Sequence, residues 1–158
     1  MPCLGAGALS LDKAAILGSF HAALEAVVAE CDRELAHLDE AAAGETKSSA
    51  GDKYETAREM ISQARRLQLQ LRDKAARGIE WLSRLEPTRI YQAAAAGCLI
   101  ETGKAIYLLG ILTESVTVEG VVVQGLTLAS PLGRALKGGR VGDCVAWRWE
   151  SLEIHGLW

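Results

Sequence analysis

The sequence predicts an α+β protein: an N-terminal antiparallel α-helical coiled-coil hairpin, then a small antiparallel β domain with one short helix. Three observations predict it. Up to Pro87, apolar residues recur in steps of three and four, the period of a helix seam. After Pro87, glycine and β-branched residues concentrate, as in strands and turns. Between the two helical stretches lies Gly44-Glu-Thr-Lys-Ser-Ser-Ala-Gly51, small, polar and bounded by glycine, which reads as a turn.

The first helix is expected from about Leu11 to Ala43, with Ser10 able to cap it. Its seam reads Leu17, Phe20, Leu24, Val27, Cys31, Leu35, Leu38 and Ala42. The second is expected from about Asp52 to Glu86, with a seam through Ala57, Ile61, Ala64, Leu67, Leu71, Lys74, Gly78, Leu82 and Leu85, and Pro87 stopping it. At ~1.5 Å per residue each arm is roughly 50 Å long. Neither arm can bury its stripe alone, so matched arms joined by a short turn should zip together as a hairpin. That satisfies the seam within one chain and predicts a monomer. Residues 11–43 hold seven acids against Lys13 and Arg33, whereas residues 52–86 hold six acids against eight bases. Opposite flanks of this kind stabilise an antiparallel pair. Arg58, Arg65 and Arg66, nearest the turn, are the exceptions that could face an anionic partner such as RNA.

Beyond Pro87, strands are expected over residues 97–102, 105–112, 115–118, 121–128 and 144–149, with tight turns at Gly103-Lys104 and Glu119-Gly120. Ser130 fits a helix cap, Pro131 the first helical position, and Gly138-Gly139 the end of that short helix. The run Ala93–Ala96 reads as the join between domains, which places the division at 1–88 and 89–158 with the hairpin tip at about 44–55.

Composition excludes several classes of function. Of 158 residues, 49% are hydrophobic and 23% charged, so a folded chain is expected. A net charge of −3 argues against a general nucleic-acid binder held by a basic surface. Cys3, Cys31, Cys98 and Cys144 are dispersed, which disfavours a zinc site. No secretory leader opens the chain and no apolar run looks long enough to span a bilayer, so a cytoplasmic protein without membrane contact is expected. No phosphate loop, nucleophile elbow or dinucleotide fingerprint is present.

Two motifs carry more. Ser130-Pro-Leu-Gly-Arg-Ala-Leu-Lys-Gly-Gly-Arg-Val-Gly-Asp143 resembles the C-terminal signature of the Gre-type (GreA/GreB) transcript cleavage factors. In that family a Ser-Pro-small helix precedes a Gly-Asp turn into a strand, on an FKBP-like domain that follows a long coiled-coil hairpin. The resemblance covers nearly all the chain from Leu11 onward. Ser130, Pro131, Gly133, Gly142 and Asp143 are its structural signature. The second motif, Gly51-Asp-Lys-Tyr-Glu-Thr-Ala57, resembles the family's Gly-Asp-x-x-Glu-Asn-Ala, with Thr56 in place of Asn. The resemblance implies that Asp52 and Glu55 form an acidic tip that enters the secondary channel of RNA polymerase. There they would help hold a second Mg²⁺ and its water against the 3′ end of backtracked nascent RNA. Lys53, Arg58, Arg65 and Arg66 would contact RNA or polymerase. No cofactor would be bound stably, because the Mg²⁺ is shared with the polymerase. The chain would stimulate the polymerase's own cleavage rather than catalyse alone.

Other readings of these residues stay open. Asp-x-x-Glu at a helix start is also a capping box, with Asp52 as cap and Glu55 reaching back. A second register aligns Lys53–Glu59 with the family's later Tyr-x-x-Ala-Arg-Glu segment. It puts Lys47 and Ala50 at the acidic positions and makes the chain a polymerase-binding regulator without cleavage, its tip made acidic by Asp39, Glu40 and Glu45. His21, His37 and His155 are scattered and read as surface side chains. Trp147 and Trp149 alternate on one strand, which points to core packing or a domain contact rather than base stacking.

Overall fold

A computed structural model describes residues 11–45 and 51–158. Two helices of 33 residues come first, α1 (Lys13–Glu45) and α2 (Gly51–Ser83). Strands β1 (Leu99–Thr102), β2 (Ile106–Leu109), β3 (Val116–Val118) and β4 (Val121–Leu126) follow, then α3 (Pro131–Leu136), β5 (Cys144–Trp147) and β6 (Glu150–Leu157). The predicted class stands: a helical hairpin followed by a small, mostly antiparallel sheet with one short helix. The predicted turn falls mainly on residues 46–50, and Ser10 also lies outside the described residues. The observed cap of α1 is Asp12, whose Oδ1 accepts from the Ala14 amide at 3.0 Å.

The chain forms two compact units, one of residues up to Phe20 with Arg84–Trp158, the other His21–Ser83. The start of α1 therefore groups with the sheet, whereas the sequence reading gave all of residues 1–88 to the hairpin. The Ala93–Ala96 run lies within the sheet unit, where Ala94 belongs to the core and Ala95 packs against it. Ala94 is buried, its amide donates to Gly139 O at 2.8 Å, and its carbonyl accepts from the Gly138 amide at 2.8 Å.

Along the arms the seams depart from prediction where apolar residues stand side by side. On α1, Val28 is half-buried while Val27 is 42% exposed, and Ala42 is exposed. On α2 the covered positions run Ala57, Ile61, Ala64, Gln68, Arg72, Ala75, Ile79 and Leu82, leaving Leu67, Leu71 and Lys74 outside. Gln and Arg carry apolar stems that can line a seam while their polar ends reach solvent. By length and composition α1 is apolar enough to cross a membrane, which corrects the expectation that no run was long enough. Its covered positions form one stripe, however, with exposed Glu25, Glu30, Asp32 and Arg33 around the rest, the pattern of a paired arm.

The sheet order is β3-β4-β2-β1-β6-β5. All neighbours are antiparallel except β2 and β4, which pair in parallel from Ile106↔Val123 to Leu109↔Leu126. That one parallel pairing arises because the chain after β2 crosses over and lays down the β3–β4 hairpin with β4 inward. Glu119 and Gly120, at φ +51 and +79, form the predicted two-residue turn of that hairpin; both take the left-handed region that matches strand twist. The longest strand, β6, was not predicted. Leu152 and Ile154 alternate inward, and β6 lies between β1 and β5. Its hairpin partner β5 ends at Trp147, so Trp149 lies in the turn and does not share a strand face with Trp147. Tyr91, Ala94, Cys98, Ile100, Leu109, Leu136 and Ile154 form the core.

Lys13 is the one charged side chain among the buried residues described, 4% exposed. Its Nζ has no hydrogen-bond partner and sits 4.5 Å from the centre of the Tyr91 ring. Burial lowers its pKa from the ordinary 10.5, with Cys98 raising it and Arg89 lowering it less. The folded state thus holds that proton less tightly than the unfolded chain. Lys13 contributes most to stability above pH 10.5, and the contribution is lost as pH falls through the folded-state value. Lys13→Met should raise the unfolding midpoint at pH 7, and this advantage should shrink as pH approaches 10.5 in urea titrations. A second variant probes the turn before α3. A Cβ on Gly133 would stand 2.0 Å from Thr127 O. Gly133→Ala should cost about 1–3 kcal/mol in the same measurement, as overpacking against backbone does.

Candidate functional site

The residues expected at the tip belong to the start of α2. The helix opens at Gly51, so Asp52 lies in its first turn and is not the capping residue itself. The description covers Asp52's backbone only. Glu55 follows on the same helix and is exposed. Residues three apart on a helix share a face, so the backbone puts the two positions on one side. Lys47 and Ala50, which matter to the other register, lie outside the described residues, and the side chain of Glu45 is not described. Among the described residues no cluster of three or more His, Cys, Asp or Glu could hold a metal ion.

What positions this end of α2 is the pairing of the arms. Arg72 Nε donates to Asp32 Oδ1 at 2.6 Å, and Arg65 is ion-paired with Asp39. Asp32 and Asp39 are seven apart, as are Arg72 and Arg65, so the two pairs are successive rungs of an antiparallel ladder. Asp32 raises the pKa of the Arg72 guanidinium, chiefly through their hydrogen bond and then by charge. This supports the structural reading of the arms' opposite charge, and it takes Arg65 out of the set of cations facing outward for a partner. One rung further along stands Arg58, at the same heptad position. The facing position by the same arithmetic, residue 46, is a Thr outside the described residues.

Arg58 and Lys53 are exposed on α2. Arg66 is also exposed and borders a shallow groove with Leu69, Gln70, Arg72 and Asp73. The structure therefore separates the expected contact residues. Lys53, Arg58 and Arg66 present cationic groups to solvent, whereas Arg65 locks the arms.

The sheet unit's signature is folded as architecture. Ser130 caps α3, accepting from the Gly133 amide at 3.0 Å and donating to Thr127 O at 2.7 Å, with Pro131 at the first helical position. Gly142 holds φ +90, and its amide donates to Ile154 O at 2.8 Å. Asp143 Oδ2 accepts from the Arg140 amide at 2.8 Å and so closes the turn into β5. What sequence reasoning missed is the exposed Arg148–Trp149 turn. The signal for it was the alternation of Leu152 and Ile154, which requires a new strand immediately after Trp149.

Charge-swapped variants test the ladder. Arg72→Asp should lower the thermal midpoint of the hairpin, and adding Asp32→Arg should restore most of the loss. Both effects should fade at 1 M salt, since the pair is half-exposed.

No family model matches the chain, and no curated protein does. Among solved structures the chain is similar to transcription factor Gfh1, at 21% identity over 85% of this chain and 92% of that one, with a TM-score of 0.33. It is also similar to GreA factor homolog 1 (Gfh1) of Thermus thermophilus, at 17% identity over 87% and 93%, again with a TM-score of 0.33. At that level of superposition neither structure bears on where a residue lies or what it does here.

Proposed function

We propose that this chain is a Gre-type transcription factor that acts on RNA polymerase, its hairpin tip donating Asp52 and Glu55 to the polymerase's active centre. The observation that carries the reading is the placement of those residues. They occupy one face at the start of a 33-residue arm that is ion-paired to the other arm at Arg65 and Arg72, and Glu55 is open to solvent. The sequence resemblance of the Ser130–Asp143 segment supports it, with Ser130 capping α3 and Asp143 closing the turn into β5.

The mechanism follows from the chemistry of carboxylates. Two anionic oxygens on one helix face suit a hard divalent cation, and Mg²⁺ commonly takes one or two carboxylates and keeps the rest of its shell as water and phosphate. On this reading the polymerase and the RNA supply the remaining ligands. Asp52 and Glu55 would help hold such a cation, and the chemistry it would supply there is a bound water made more acidic and a polarised phosphodiester. Arg58, Lys53 and Arg66 neutralise phosphates or polymerase carboxylates nearby. The chain then has no hydrolytic activity alone and works as a monomer in the cytoplasm with RNA polymerase and the nascent RNA 3′ end as partners.

Stalled, backtracked elongation complexes with labelled RNA and Mg²⁺ provide the test. Added protein should release short 3′ fragments. The Asp52→Ala, Glu55→Ala double variant should slow release by about 10²-fold or more, the size seen when a charge-stabilising group is removed from an active centre. Polymerase binding without fragments would refute the cleavage role and favour the regulator implied by the other register.

A further inference from the structure

The tip of the β5–β6 hairpin has no part in the reading above. Trp147 ends β5 opposite Glu150, and Arg148 and Trp149 make the two-residue connection. Arg148 adopts φ +56, the left-handed region that costs a non-glycine residue energy. Trp147 shares its strand face with Val145, which packs against the core, and is half-buried. Trp149 is 86% exposed. The Arg148 guanidinium carbon lies 5.6 Å from the Trp147 ring centre and 5.9 Å from that of Trp149, within cation–π range of both. The adjacent carboxylate, Glu150, is ion-paired with Lys104. One anchored indole, one free indole and a cation held against both are thus presented to solvent.

We infer that this tip is a stacking platform for an unpaired base of single-stranded nucleic acid, with Arg148 meeting the adjoining phosphate. An indole stacks on any base because every base has a π face, and a guanidinium can lie on a ring or bond a phosphate through two N–H groups. The occupant must combine a flat aromatic face with a negative charge, which a nucleotide does. A protein hot spot would need neighbouring side chains that exclude water around the anchor. Here the flanking Ala146, Glu150 and Ser151 are small or polar and exposed. The platform lacks a basic groove, consistent with a net charge of −3, so binding is weak and tolerant of sequence. With one phosphate contact, the affinity should fall with salt at a log–log slope of about −0.7. The inference does not depend on the cleavage role of α2.

The test uses the full chain and 5′-labelled single-stranded RNA octamers of uridine or adenosine, read by indole quenching and by anisotropy at low salt. Saturable binding with a dissociation constant on the order of 10⁻⁴ M is expected. Trp149→Ala should weaken it at least ~5-fold, Trp149→Phe should stay within about 3-fold, and Arg148→Gln should remove the salt slope. Circular dichroism melting should be unchanged in all three, because the replaced groups are exposed. Three results would each overturn the inference: no saturable binding, equal binding by Trp149→Ala, or a salt slope several times steeper. If the octamers do not bind and Trp149→Ala instead weakens binding to RNA polymerase, the tip is a protein contact and the platform is wrong.

Discussion

Within His21–Ser83 the apolar stripes of the two arms cover each other, and this sets the position of the far end of α2. Burial supplies the attraction. Asp32 with Arg72 and Asp39 with Arg65 lie at the same heptad positions on facing arms, and sliding one arm by half a heptad would break both pairs. Exposed ion pairs add little to stability, so here they reinforce the phase that burial sets. The start of α2, with Asp52 and Glu55, is held where this alignment puts it.

The sheet unit solves a different problem. Its short helix is capped three residues after Thr127, whose carbonyl accepts from the Ser130 hydroxyl while that hydroxyl also caps α3. This brings the first turn of α3 against the Thr127 backbone, leaving room for hydrogen alone at position 133. The Ser-Pro-x-Gly pattern is therefore one steric unit: a cap, a fixed φ, and a residue without a side chain where backbone meets backbone. A motif of this kind tells of shape and says nothing of chemistry, which is why the chemical reading rests on α2.

How much of this was legible in the sequence depended on whether the signal was local. The capped start of α3, the Glu119-Gly120 turn and the two long helices were all readable, because each is dictated by neighbours within a few residues. The seam of α2 was readable from Ala57 to Ala64 and again at Gly78 and Leu82. Between them, Leu67 and Leu71 looked like seam positions because they are leucines, yet Gln68 and Arg72 are the covered ones. Arg72 is drawn inward by Asp32, forty residues away, which no local period encodes. The place of Ala94 was hidden in the same way, because its hydrogen bonds go to Gly138 and Gly139. At the tip, Asp52 and Glu55 could be paired by spacing, but the role of Arg65 could not be assigned without knowing that it faces Asp39.

The exposure of Glu55 has a further consequence for the proposed chemistry. Two carboxylate positions on one helix face can fill at most a minority of the octahedral shell that Mg²⁺ demands, and water competes effectively for the rest. An isolated site of this kind would hold the ion weakly. The affinity has to come from a second protein that contributes the opposite ligands and excludes solvent, where the same Coulomb attraction is several times stronger. A donor of such ligands gains from stiffness more than from burial, because a carboxylate misplaced by an ångström forfeits most of its effect on a transition state. Two ion-paired rungs between long arms, with Glu55 open to solvent beyond them, are the arrangement that this requirement favours.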